Sequence, residues 1–202
     1  MSDATPPVEQ AAEAEQAPLV RGRPFARPVL GLAAHEGAVA VRVGAAVGHG
    51  WWTMGDPAVR VGGESALRVT TPLGGASGYR VDLGTQAGPW FGPVGVSLGA
   101  AARAERERWD EDELPAALLA GPSLELAVDA GPVGVVGGVA PWFALTDRAP
   151  AGVGPAIGAE TDWRLGLRGT LGPALVLAEG AARATAIGWV VELGIGLRLG
   201  VR

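Results

Sequence analysis

A chain of 202 residues, 48% hydrophobic and with a formal charge of -5, is long enough for one folded domain and too apolar for wholesale disorder. Its basic residues are all arginine and, apart from Arg21, Arg23 and Arg27, stand singly, so an acidic chain with no basic patch argues against a nucleic-acid partner. The absence of cysteine removes disulfides and thiolate metal sites, and the absence of lysine removes a P-loop.

The first 27 residues are acidic, rich in Ala and Pro, and contain neither a basic n-region nor an apolar h-region. They read as a flexible arm without an export signal, with the folded domain expected over residues 28–202. From there the dominant signal is alternation with period two, the mark of strands with one apolar face. Strands are predicted at about 37–48, 78–90, 93–107, 121–130, 133–145, 161–171, 174–186 and 188–202. Two further segments, 27–35 and 65–73, are weaker and would raise the count from eight to ten. Short turns are expected at Gly92-Pro93, Gly131-Pro132 and Gly172-Pro173, and longer exposed loops at 109–115 and 146–160. The longest uncharged run, Ala130 to Thr146, contains Pro132, Pro141 and four glycines, which favours a strand and its turn over a membrane helix.

The last strand carries the clearest pattern. Val191, Leu193, Ile195, Leu197, Leu199 and Val201 alternate with Glu192, Gly194, Gly196, Arg198 and Gly200. A row of aliphatics backed by charge and glycine suits a wall between lipid and a narrow polar lumen. The same parity argument sends Arg42, Arg80, Asp82, Arg103, Glu105, Glu125, Asp129, Asp162, Arg164, Arg168, Glu179, Arg183, Glu192 and Arg198 inward, acids and arginines in equal number. In the strand at 174–186, Leu175 and Leu177 share the parity of Glu179 and Arg183, so its facing stays open and a bulge is one solution. Eight strands are favoured over ten, because Trp51, Trp52, Trp109, Trp142, Phe143, Trp163 and Trp189 then gather at the loop end, and Trp90 and Phe91 at the turn end, as two aromatic belts. The fold expected is an all-β, closed, antiparallel, up-and-down transmembrane barrel.

This pattern resembles the small outer-membrane β-barrel proteins of Gram-negative bacteria, the class that includes the OmpA membrane domain and OmpX, over residues 37–202. Glu192, Gly194, Leu197 and Leu199 are similar to the terminal signal by which such chains are recognised. The resemblance implies an outer-membrane location, a lipid bilayer with lipopolysaccharide as surroundings, and the barrel assembly machinery as a partner.

Chemistry-bearing motifs are sparse. Gly95-Val96-Ser97-Leu98-Gly99 has the spacing of a hydrolase nucleophile elbow, but it lies inside an alternating strand and both histidines, His35 and His49, precede it. His49 reads as an exposed loop histidine, with a base for lipid modification as the sharper alternative. Asp110, Glu111, Asp112 and Glu113 could attract a divalent cation, yet four adjacent carboxylates cannot converge without a sharp bend, and a solvated loop is the reading. No catalytic, cofactor or metal site is therefore assigned. The leading expectation is a non-enzymatic barrel with a structural, surface-interaction or minor-permeability role, its lumen plugged by Arg-carboxylate pairs. A ligand-binding barrel, soluble or membrane-bound, and a membrane-embedded lipid-modifying enzyme are the alternatives; a soluble barrel would reverse the facing of charges and aliphatics.

Overall fold

The computed structural model describes residues 19–54, 59–110, 112–146, 160–171, 174–185 and 188–199, and within them the regular structure is entirely β. Ten strands follow one another: β1 (Leu19–His35), β2 (Ala38–Met54), β3 (Val59–Gly74), β4 (Ala76–Phe91), β5 (Val94–Trp109), β6 (Asp112–Ala130), β7 (Val133–Ala144), β8 (Glu160–Leu171), β9 (Ala174–Thr185) and β10 (Gly188–Leu199). Each pairs antiparallel with its sequence neighbours, and β1 pairs with β10 over Val29 to Ala34 against Val191 to Gly196, closing the ring. The near end is taken as the one where β1 starts and β10 finishes, and the far end as the one where β1 turns into β2.

The count corrects the favoured eight to ten. The two weak segments are real strands, β1 and β3, and both are longer than their alternation suggested. Among the described residues β1 already runs from Leu19, ahead of the boundary expected at residue 28. Prolines obscured β1: Pro24 and Pro28 lie in the part of the strand that precedes its pairing with β10, where a missing ladder donor is tolerated. The far end also has tighter turns than expected. Glu36 and Gly37, with φ of 44° and 91°, make the two-residue turn from β1 to β2, and the predicted loop at 109–115 is a turn at Asp110, with β6 already under way at Asp112. The Gly92-Pro93 and Gly131-Pro132 turns stand at the near end as anticipated, while 172–173 and most of 146–160 lie outside the described residues.

The doubt about β9 resolves without a bulge. Its ladders with β8 and β10 run at constant register, with Leu177 facing the lumen beside Glu179. The register shift falls instead between β5 and β6, where Glu105 pairs with Ala117 but Glu107 pairs with Leu114. The extra residue is in β6 at Pro115-Ala116, and it reverses the strand's parity. Asp112 and Leu114 face inward before it, Ala117, Leu119 and Ala127 after it.

Curvature requires small residues where strands approach closely. A Cβ added at Gly44 would run into the Val69 carbonyl oxygen and the Thr70 backbone of the adjacent β3. Gly44→Val should therefore lower stability in urea by about 1–3 kcal/mol, the usual cost of overpacking. A change within a few tenths of that of wild type would mean that β2 and β3 can part there freely.

Candidate functional site: the lumen

Alternation along ten strands separates two surfaces. Outward stand the aliphatics, including Leu98 at 67% exposure, Leu165 at 63% and Leu193 at 62%, with Leu30, Val41, Leu67, Leu83, Leu126 and Ile195 around the same band. Among the described residues, the outward-facing charges of the strands are Arg106, Arg108 and Glu113, all close to the far end. An aliphatic band of this extent is unfavourable in water and suited to lipid. It is the inverse of a soluble barrel.

Inward, the far half of the lumen is filled by one ion-pair cluster. Arg42 from β2 donates to both carboxylate oxygens of Glu107 in β5, at 2.8 and 3.1 Å, and lies 3.2 Å from Glu192 in β10. Arg80 from β4 donates two bonds to Glu192, at 2.8 and 2.7 Å. Arg103 from β5 donates to Asp82 and forks onto Asp162 in β8 at 3.2 and 2.6 Å, while its guanidinium lies 4.3 Å from the centre of the Trp142 ring. Arg183 from β9 donates to Glu105 at 3.0 and 2.7 Å and approaches Asp162 at 3.4 Å and Glu192 at 3.5 Å. Trp109 caps the cluster, its indole N–H donating to Glu107 at 3.2 Å. Forked arginine-carboxylate bonds are directional as well as charge-assisted, so each pair fixes its partners' rotamers as it neutralises them.

The near half is looser. Glu179 accepts from Arg68 at 2.9 Å and sits 3.7 Å from Arg27, and Arg168 bonds Asp129 while lying 5.1 Å from the Trp90 ring. Between these groups and the cluster is a cavity of about 280 Å³ whose lining includes Gln86, Glu125, Arg164 and Glu179. The lumen is thus blocked at one end and hollow at the other.

The charges expected to face inward do so wherever their side chains are described; Arg198's side chain is outside that set. The cluster has a member the sequence reading missed, Glu107, although its parity with Arg103 and Glu105 gave the signal. Arg27, Glu64 and Arg68 were missed because β1 and β3 were only provisional. Tryptophan parity overturns the belts. Trp52, Trp90, Trp109 and Trp142 lie on the inward faces, and the outward aromatics are Trp51 and Phe91 at the near end, with Tyr79, Phe143, Trp163 and Trp189 towards the far end. Trp51 and Trp52 join the near end because two more strands precede and follow them.

The remaining candidates separate in space. Ser97 faces inward in mid-ladder opposite Glu125, whereas His49 faces outward, its ring over Gly22. They stand on opposite sides of the wall. Asp112 and Glu113 diverge, the first inward to His35 and the second outward to Arg106 at 3.1 Å, as neighbours in a strand must. Asp110 is at the turn, and Glu111 is outside the described residues.

These features define the class: a closed, ten-stranded, antiparallel barrel with an apolar outside and an ion-paired inside. No family model matches the sequence, and no curated protein does. Among solved structures the chain is similar to the β domain of the Bordetella autotransporter BrkA, at 15% identity over 89% of this chain and 99% of that one, with a TM-score of 0.49. The translocator domain of the autotransporter NalP from Neisseria meningitidis matches at 10% identity over 93% and 90%, with a TM-score of 0.37. CdiB from Acinetobacter baumannii matches at 8% over 87% of this chain and 60% of that chain, with a TM-score of 0.22. The barrel assignment stands on the strand pairing itself.

Removal of Arg103 leaves Asp82 and Asp162 buried without their main partner. Arg103→Ala should cost about 3–5 kcal/mol in urea unfolding, against about 0–1 kcal/mol for Arg106→Ala, whose pair with Glu113 is exposed. Equal losses would show that water reaches the cluster freely.

Proposed function

We propose that this protein is an integral outer-membrane barrel with a structural and surface-contact role, closed to solutes by its own side chains. The observation that carries the reading is the pairing of an apolar outer band with a lumen blocked by the Arg42, Arg80, Arg103 and Arg183 cluster. A pore for ions would present an excess of one sign along an open path. Here cations and carboxylates meet and the path ends. A carrier of an apolar ligand is disfavoured by the eight charged side chains that stand among the cavity's apolar ones, Glu125 and Arg164 among them.

The near end, with its Gly-Pro turns, is assigned to the periplasmic side and the far end to the outside. In that orientation Arg106 and Arg108 emerge from the outer wall at the level of the external lipid headgroups, where lipopolysaccharide phosphates would accept from them. Glu192, Gly194 and Leu197 on β10 would be read by the assembly machinery before that strand closes on β1. No enzymatic step is part of the proposal: the aligned nucleophile and base that one would require are not supplied by Ser97 and His49, which face opposite sides.

In planar bilayers the wild-type barrel should show little steady conductance. Replacing both Arg103 and Arg183 with alanine should open it with cation preference, since the carboxylates remain. A large stable conductance in the wild type would overturn the closed reading in favour of permeation. Location is tested separately: Leu193→Arg should weaken insertion into lipid vesicles by about 2–4 kcal/mol if that residue is near the midplane. Unchanged insertion would show that the band does not contact lipid.

A further inference from the structure

At the far mouth, above the cluster, His35 ends β1 and is almost wholly buried, with 1% of its side chain exposed. Its ring packs edge-on against Trp109, with centroids 5.9 Å apart. Nδ1 lies 3.0 Å from the Trp189 carbonyl oxygen, and Nε2 lies 3.1 Å from a carboxylate oxygen of Asp112. A carbonyl can only accept, so Nδ1 carries the hydrogen of that bond. In the neutral imidazole the other nitrogen turns its lone pair toward a second acceptor. Two acceptors face each other at that distance only with a cation between them, a proton or a metal ion. A proton would need the histidine and aspartate alone. A third ligand atom, a carboxylate oxygen of Glu36 from the turn after β1, gathers within 4.8 Å of both.

We propose that His35, Glu36 and Asp112 form a binding site for a divalent transition-metal ion of zinc's type at the far mouth of the barrel. One imidazole nitrogen and two carboxylate oxygens are a donor set that zinc accepts, with water completing a tetrahedron. The Trp189 carbonyl would hold the imidazole in the ligating tautomer, as outer partners of metal-bound histidines do. Bonds of about 2.1 Å bring tetrahedral ligand atoms to about 3.4 Å apart, so Glu36 has to move inward by a side-chain rotation, which its exposed position allows. β1 and β6 stand opposite each other in the ten-strand ring, so the ion would tie one wall of the mouth to the other. Its three ligands lie outside the ion pairs of the cluster below, with Trp109 touching both, and they do not depend on the membrane reading.

The test is titration of tag-free, chelator-treated, detergent-folded full-length protein with Zn²⁺ by calorimetry, with Co²⁺ absorption as the report on ligand geometry. One equivalent of Zn²⁺ per barrel is expected, with a tetrahedral Co²⁺ spectrum. His35→Gln should abolish both. Glu36→Gln should weaken binding by at least about tenfold, no less than the loss of an outer partner does. His49→Gln, on the outer wall, should change nothing. If the buried His35 variant does not fold, Glu36→Gln decides alone, since Glu36 is exposed on a turn. No stoichiometric binding in the wild type would overturn the proposal and leave only the hydrogen bond between His35 and Asp112. Equal affinity in Glu36→Gln, or loss of binding in His49→Gln, would overturn it as well.

Discussion

Antiparallel closure of β1 on β10 is the constraint from which the rest follows. An open ten-stranded sheet would leave two edges of unpaired backbone groups, which lipid cannot solvate. Once Val29 to Ala34 pair with Val191 to Gly196, every strand has two neighbours and only two surfaces remain, inside and outside. Parity then leaves no intermediate choice: a residue faces outward or it faces the lumen. Charge goes to the lumen and must be neutralised there.

The cluster is the result of that sorting in a confined volume. Its members come from β2, β4, β5, β8, β9 and β10, so no local segment could form it before the ring exists. Arg183 and Glu105 are fully buried and bonded to each other from strands far apart in the chain. Such pairs cost desolvation that the forked hydrogen bonds have to offset, which makes them a device of specificity as much as of stability. A sheet closed in the wrong register would place Arg80 away from Glu192, and Arg103 away from Asp162.

The period-two pattern made most of this legible. From Val191 to Leu199 in β10 and from Asp162 to Arg168 in β8 apolar residues alternate with charge or glycine without a break, and the facings of both strands were legible from it. The charge list was likewise readable, because one arginine facing lipid is costly enough to fix a whole strand's parity. What failed was the assumption that aromatic residues mark membrane belts. In each of the pairs Trp51-Trp52, Trp90-Phe91 and Trp142-Phe143 one ring must face inward, and the inward rings of Trp90 and Trp142 lie over arginines. Counting both as belt residues favoured eight strands. The parity reversal at Pro115-Ala116 had no comparable signal, since a bulge is set by its partner strand. Pairings across the lumen were not legible either, because they depend on how far each strand is staggered around the ring. For the same reason His35 and Asp112, from opposite walls, could not be brought together on paper.

The uneven filling of the lumen has an electrical consequence. The cavity lined by Arg164 and Glu125 stops at the cluster, whose Arg103 and Arg183 are almost wholly buried, so in a barrel that spans a bilayer the ion pairs are the tightest barrier along the axis. Any voltage across that barrier acts on the ion pairs themselves. A single charge moved through 100 mV gains about 2.3 kcal/mol, enough to displace an isolated guanidinium. Here each arginine is bound to carboxylates that the same field pushes the opposite way, so the pull on the cluster as a body is small. Mutual neutralisation lets the seal meet such a potential as one body and not member by member.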